Sequence, residues 1–285
     1  MTYKTLLVAV TNSRHRRAVL DSAAMLAEAF DAHVTGIDVF SPRYPSPAAV
    51  AAEYPGWNNI SQMREEMEAA EKQAEQRKQE FTSMMDSEGL RRSEWRFVVG
   101  DPLETLALHA RYADLVITGQ VDPDDPAGGT NPDLPARVAM ASARPVLVIP
   151  YAGTFPTVGR HALVAWNATR EATRAVQEAL PLLQRAESVR VAVFQNGRDF
   201  ATAHGEEPGA DIALYLSRHG IKVETSRLPA GDIAVGDALL SLMADTGTDL
   251  LCMGAYGHSR LREIALGGVT HDILRHMTAP VLMAH

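Results

Sequence analysis

The chain has one cysteine, Cys252, in 285 residues. This excludes an intramolecular disulfide and any cysteine-based zinc finger. Cys252 sits in the apolar stretch TDLLCMG and reads as a buried small hydrophobe. Long hydrophobic runs are missing too. Pieces such as Leu6–Val10 and Pro145–Pro150 fall far short of the roughly 18–20 residues that span a bilayer. At the N-terminus a short apolar run precedes a basic cluster, the reverse of a signal peptide. The expectation is a cytoplasmic protein with no membrane partner. Positive charge is scarce: 27 Lys and Arg stand against 35 Asp and Glu, a net charge of −8. A nucleic-acid partner is not expected, because coating nucleic acid needs a basic stripe to displace counterions. No G-x4-G-K-[ST] loop and no G-x-S-x-G elbow occurs. What is present is ordinary globular composition, 46 % hydrophobic and 22 % charged, with room for about two domains.

The chain contains itself twice. ADLVITG at 113–119 returns as TDLLCMG at 248–254, and ARPVLVIP at 143–150 returns as TAPVLMAH at 278–285, both at an offset of 135. Val99-Gly100-Asp101 matches Ala230-Gly231-Asp232 at offset 131, and Leu7–Val10 matches Leu163–Trp166 at offset 156. Four landmarks in the same order indicate a tandem duplication. The offset falls from 156 at Leu7–Val10 to 131 at Val99–Asp101, so the first half carries 25 extra residues between them. The seam lies near 151–158, giving domains at 1–154 and 155–285.

Each half alternates short apolar runs with helically spaced stretches. In the second half, strands are expected at His161–Trp166, Ser188–Phe194, Ile221–Arg227, Asp249–Met253 and Pro280–Ala284. Helices are expected at Thr169–Arg185, Ala210–His219, Asp232–Asp245 with Asp232 as N-cap, and Gly268–Met277. Such alternation implies right-handed crossovers and a parallel sheet covered on both faces. The fold class is therefore α/β, two tandem five-stranded doubly wound domains. The closing strands Val146–Ile149 and Val281–Ala284 are expected to pair across a pseudo-twofold, because an unpaired edge is a liability. The insertion, at about 41–88, reads as a proline-rich loop over Ser41–Ile60 and then a charged helix over Ser61–Glu88. Met63, Met67, Ala70, Ala74, Phe81 and Met84 or Met85 share one face of that helix. This face packs on its own domain or docks a partner.

Ligands of open parallel sheets sit outside the carboxyl ends of the strands, near the reversal in strand order. Glycines there let backbone N–H groups approach phosphate, aided by a helix N-terminus. The second half has such a loop: Gly254, Gly257 and Gly267 in G-x2-G-x9-G spacing, then Gly268, Val269 and Thr270 opening a helix. This spacing, inside a duplicated α/β unit ending in APVLMAH, resembles the nucleotide-binding signature of the universal stress protein family. The resemblance covers essentially the whole chain. It implies an adenine nucleotide α-hydrolase-like fold, an adenine-nucleotide ligand such as ATP, ADP or AMP, dimerisation through the last strand, and a role in stress survival. By position it implies that Asn167 meets the nucleotide from the first strand of the second half. Val193 would line the adenine pocket, and Met253 and Gly254 would touch the nucleotide. Gly257 and Gly267 would surround the phosphates. Gly268, Val269 and Thr270 would supply N–H groups and one hydroxyl.

Two departures from the family pattern stand out. Gly268 replaces a usual Ser or Thr, which removes a hydroxyl donor worth about 0.5–1.5 kcal/mol. Asn167 replaces a usual Asp, which removes a charge that would help hold Mg²⁺. His258 meets phosphate when protonated, or is an exposed loop histidine. Trp166 stacks on a base or belongs to the core. In the first half, Gly257 maps to Asp122, Gly267 to Pro132 and Gly268 to Asp133, and Thr11 stands where the strand-one Asp would be. Asp122, Asp124, Asp125 and Asp133 would repel a phosphate chain. That half is expected not to bind a nucleotide, and its prolines favour a solvated, irregular loop. A hard-cation site in this loop, and a zinc site from His258, His271 and Asp272, remain open. The expected partners are the other half, as an intramolecular pseudo-dimer, and a second copy as a homodimer. Alternatives to a nucleotide-binding module are a scaffold acting through the inserted helix and a slow ATPase.

Overall fold

The computed structural model describes residues 2–42, 57–90, 92–194, 209–228, 233–256 and 268–285. The first half runs β1 (Thr5–Ala9), α1 (Arg16–Phe30), β2 (His33–Phe40), α2 (Trp57–Ser87), β3 (Ser93–Val99), α3 (Pro102–Ala110), β4 (Leu115–Gly119), α4 (Leu134–Ser142) and β5 (Val146–Ile149). The second runs β6 (His161–Trp166), α5 (Arg170–Leu183), β7 (Ser188–Phe194), α6 (Ala210–Arg218), β8 (Val223–Leu228), α7 (Val235–Thr246), β9 (Leu250–Gly254), α8 (Gly268–His276) and β10 (Val281–Ala284). The alternation expected from the sequence is present in both halves.

The ten strands form a single sheet in the order β3-β2-β1-β4-β5-β10-β9-β6-β7-β8. Two five-stranded parallel units are thus joined edge to edge. The joint is the antiparallel pair β5–β10, with Val148 opposite Val281, Leu147 opposite Leu282 and Val146 opposite Met283. Within each half the strand order reverses between β1 and β4, and between β6 and β9. Both faces are apolar. Leu6, Val8, Leu147, Val164, Cys252 and Leu282 face the layer that includes Leu20 of α1 and Val176 of α5. Leu7, Val148, Leu163, Leu251 and Val281 face the layer that includes Leu106 of α3, Val138 of α4, Met243 of α7 and Ile273 of α8. Double burial explains why the inner strands read as continuous hydrophobic runs, while the edge strands β3 and β8 are partly exposed and more polar.

Most element boundaries fall within two residues of the sequence reading, and three helix ends show how they differ. Helix α2 begins at Trp57, not Ser61. Helix α7 begins at Val235 with Ala234 at its N-cap; the predicted cap, Asp232, lies outside the described residues. Helix α5 stops at Leu183, two residues early. The long helix α2 packs on its own domain. Ala70, Ala74, Phe81, Met84 and Met85 are buried, while Met63 is exposed. The Phe81 ring lies 5.6 Å from that of Trp95. Gly36 makes room for both, since a Cβ there would meet each ring at 3.0 Å.

Candidate functional site

The two strand-order reversals place the carboxyl ends of β1 and β4, and of β6 and β9, where a ligand would enter. In the second half, Asn167 follows β6 and is exposed. Its Oδ1 accepts from the N–H (3.3 Å) and the hydroxyl (2.9 Å) of Thr169. Thr169 in turn caps α5 by accepting from the N–H of Ala172. Thr11, the first-half counterpart, makes the same turn by accepting from the N–H of Ser13 at 3.3 Å. Asn167 is thus a turn-forming residue whose amide oxygen is already engaged.

The other candidates fall into two groups. The Val193 side chain is fully buried in the α5–α6 layer, and Met253 is buried beneath α7 and α8. Gly254 closes β9 against the first turn of α5. A Cβ there would lie 2.7 Å from the backbone of both Glu171 and Ala172, so glycine is dictated by this approach. Gly268, at the start of α8, is exposed and would admit a Cβ with no atom within 4 Å. Val269 is half-buried and Thr270 buried. The Thr270 hydroxyl accepts from the N–H of Tyr256 at 3.3 Å, which ties the end of β9 to the first turn of α8. That hydroxyl retains only its own proton to donate. Gly257, His258 and Gly267 lie outside the described residues. Tyr256 adopts φ +54°, and its hydroxyl is buried without a hydrogen-bond partner among the described residues. Burial, reinforced by the carboxylate of Asp133, pushes this phenol up to about 12. Trp166 packs partly buried against the core beside α5 and α6.

The equivalent region of the first half is built differently. The acidic loop is solvated only in part, a correction to the sequence reading: Pro123 and Asp124 are exposed, but the flanking aspartates are not. Asp122 and Asp125 are buried, and both turn onto the segment after β1. Asp122 bonds Arg14 at 2.6 Å and His15 at 2.9 Å. Asp125 accepts from the Ser13 hydroxyl and the Arg14 N–H. The N–H of Asp124 is the largest influence holding the Asp122 carboxyl below the usual range, and the N–H of Arg14 does the same for Asp125. A short 3₁₀ turn, Pro126–Gly128, sits against Ser13 so closely that a Cβ on Gly128 would meet the Ser13 Cβ at 2.7 Å. Asp133 bonds His271 of the second half. Among the described residues, no group of three or more His, Cys, Asp or Glu is arranged to hold a metal. No helix there is long and apolar enough to cross a membrane.

Comparison with known proteins follows the same two-part division. The sequence profile of the Universal stress protein family matches residues 2–150 and again 159–285. The chain belongs to the universal stress protein family. Universal stress protein Slr1230 of Synechocystis sp. is 37 % identical over 70 residues, covering 24 % of this chain and 22 % of that protein. Universal stress protein MJ0577 of Methanocaldococcus jannaschii is 34 % identical over 47 residues, 16 % of this chain and 29 % of that one. The chain thus spans less than a third of the length of either curated relative. A universal stress protein from Archaeoglobus fulgidus superposes with a TM-score of 0.73 at 15 % identity, over 98 % of this chain and 95 % of that structure, which establishes the shared fold.

One feature of this universal stress protein escapes the sequence reading. A cleft of about 600 Å³ opens above β1, β2 and β4, walled by α2 and lined by Asn12, Asp38, Phe40, Gln73, Arg77 and Leu106. Arg77 and Asp38 form a buried ion pair at 2.7–2.8 Å, and Arg77 also reaches the Asn12 amide oxygen at 3.3 Å. Burial pushes the Asp38 carboxyl above its ordinary value despite this partner. The signal was a charge inside an apolar pattern, twice: Asp38 in a strand, and Arg77 on the face shared by Ala70, Ala74 and Phe81.

Proposed function

We propose that the second half, residues 155–285, binds an adenine nucleotide, and that the first half, residues 1–154 with its insertion at 41–88, does not. In this reading Asn167, Met253 and Gly254 meet the nucleotide and Val193 lines the adenine pocket, Gly257 and Gly267 surround the phosphates with His258 beside them, and Gly268, Val269 and Thr270 supply N–H groups and one hydroxyl. The observation that carries it is the contrast between the two reversal points. At the second, the first turn of α8 starts with an exposed glycine whose added Cβ would meet no atom of the described residues within 4 Å. The leading N–H groups of a helix have no intrahelical partner and carry the positive end of its dipole, which suits an anion. At the first, two carboxylates and a 3₁₀ turn occupy the corresponding loop. The chain acts as a cytoplasmic stress-response or signalling module, and its joined halves are the pseudo-dimer.

Titration calorimetry with ATP and with AMP tests this. Saturable binding of one nucleotide per chain, abolished in Gly257→Asp, supports it. No heat at millimolar nucleotide overturns it.

A further inference from the structure

The contacts between the halves are not symmetric where they touch α8. Asp133 Oδ1, from the first half, lies 2.9 Å from Nδ1 of His271, in the first turn of α8. Gln120, from the loop after β4, donates from Nε2 to the carbonyls of Leu274 (2.9 Å) and Arg275 (3.1 Å), in the last turn of α8. Its Oε1 accepts from the N–H of Tyr151, which fixes the amide's orientation. The first half therefore grips α8 at both ends.

The duplication supplies the control. At the repeat offset of 135, the mate of Asp133 is Gly268, the mate of His271 is Ala136, and the mate of Gln120 is Ala255. None of the three mates has a polar side chain, so the second half cannot return any of these bonds to α4. The same Asp133 that replaces a cradle glycine in its own half is the residue that reaches across the joint.

We infer that Asp133 of the first half is a positioning residue for the anion-binding end of α8 in the second half, with Gln120 anchoring the far end of the same helix, so that the half without a nucleotide site sets the affinity of the half with one. This rests on the reading that the second half binds an adenine nucleotide. Asp133 acts through His271, and neighbouring Thr270 holds the N–H of Tyr256 at the start of the glycine loop. Releasing Asp133 frees the first turn of α8 to shift. Its leading N–H groups then move relative to a bound anion, and hydrogen-bonded recognition weakens with small displacements. By linkage, nucleotide bound in the second half must tighten the first half's hold on α8 by the same factor.

The test is AMP affinity of the full chain by calorimetry, with amide hydrogen exchange as a second readout. Asp133→Ala should weaken AMP by about tenfold, and Asp133→Asn, which keeps an oxygen acceptor for His271, should restore it to within about twofold. In the wild type, AMP should slow exchange across residues 120–133, a region about 135 residues from the glycine loop in sequence; in Asp133→Ala it should not. Equal affinity of wild type and Asp133→Ala overturns the inference, as does unchanged exchange over 120–133 in wild type with AMP bound. Absence of AMP binding by the wild type instead overturns the nucleotide reading on which it rests.

Discussion

Leu147 and Leu282 stand 135 residues apart in the chain and directly opposite each other in the sheet. They are the same residue of the two repeats, so the pseudo-twofold axis passes between them. Both are completely buried. Truncating either leaves a void at the joint. Leu147→Ala and Leu282→Ala should each cost about 2–5 kcal/mol in urea unfolding. The double variant should cost less than their sum, because the second truncation enlarges a cavity already made.

The buried pair Arg77–Asp38 holds the inserted helix to β2. Arg77→Met leaves a carboxylate in an apolar wall and should destabilise by about 3–5 kcal/mol. Removing both charges, as Arg77→Met with Asp38→Leu, should recover most of that loss. Urea midpoints of the three proteins measure it. A double variant weaker than Arg77→Met would show that the pair is not the main tie.

Asp122 and Asp125 titrate below the usual carboxylate range in the folded chain. A depressed folded value stabilises above the unfolded value, about 3.9 for Asp, and the contribution disappears as pH falls through the folded value. The stability difference between wild type and Asp122→Asn should therefore shrink as pH falls below about 4. Urea unfolding on both sides of that pH reads it directly.

Gly254, which belongs to the family signature, and Gly268, which departs from it, should respond oppositely to alanine. At Gly254 the added Cβ meets the backbone of α5 at 2.7 Å, so Gly254→Ala should destabilise by about 1–3 kcal/mol. At Gly268 the Cβ meets nothing, so Gly268→Ala should be neutral or stabilise by up to about 1 kcal/mol, through a less flexible unfolded chain and better helix propensity. Thermal unfolding separates the two.

Cys252 is fully buried, and burial pushes its thiol up to about 12. The native protein should not react with a thiolate-seeking disulfide reagent at pH 8. Labelling should begin only with unfolding, at a rate that follows denaturant concentration.

The alternation of elements and the closing-strand pairing were legible because both depend on local hydrophobic period and on landmarks repeated at a fixed offset. Residues 146–149 and 281–284 announce their equivalence in the text of the chain. The ion pairs were not legible, because their partners are remote. Arg14 and Asp122 are 108 residues apart, and the run Asp122-Pro-Asp-Asp reads as solvated until Arg14 is seen against it. Helix α2 starts earlier than expected because a proline-rich approach hides its first turn. At the candidate site, Gly254 was read as room for a ligand, whereas the first turn of α5 already fills that side of it.

The covalent link between the halves has a consequence for mass action. In a pair of separate identical subunits, every substitution appears twice, and the pair comes apart on dilution. Here β5 and β10 meet within one polypeptide, so their association does not depend on protein concentration, and each copy can change alone. An aspartate at position 133 facing a histidine at 271 is a solution open only to such a chain: a symmetric pair would have to accept both residues on both sides, including an aspartate at the start of the very helix that is left open here.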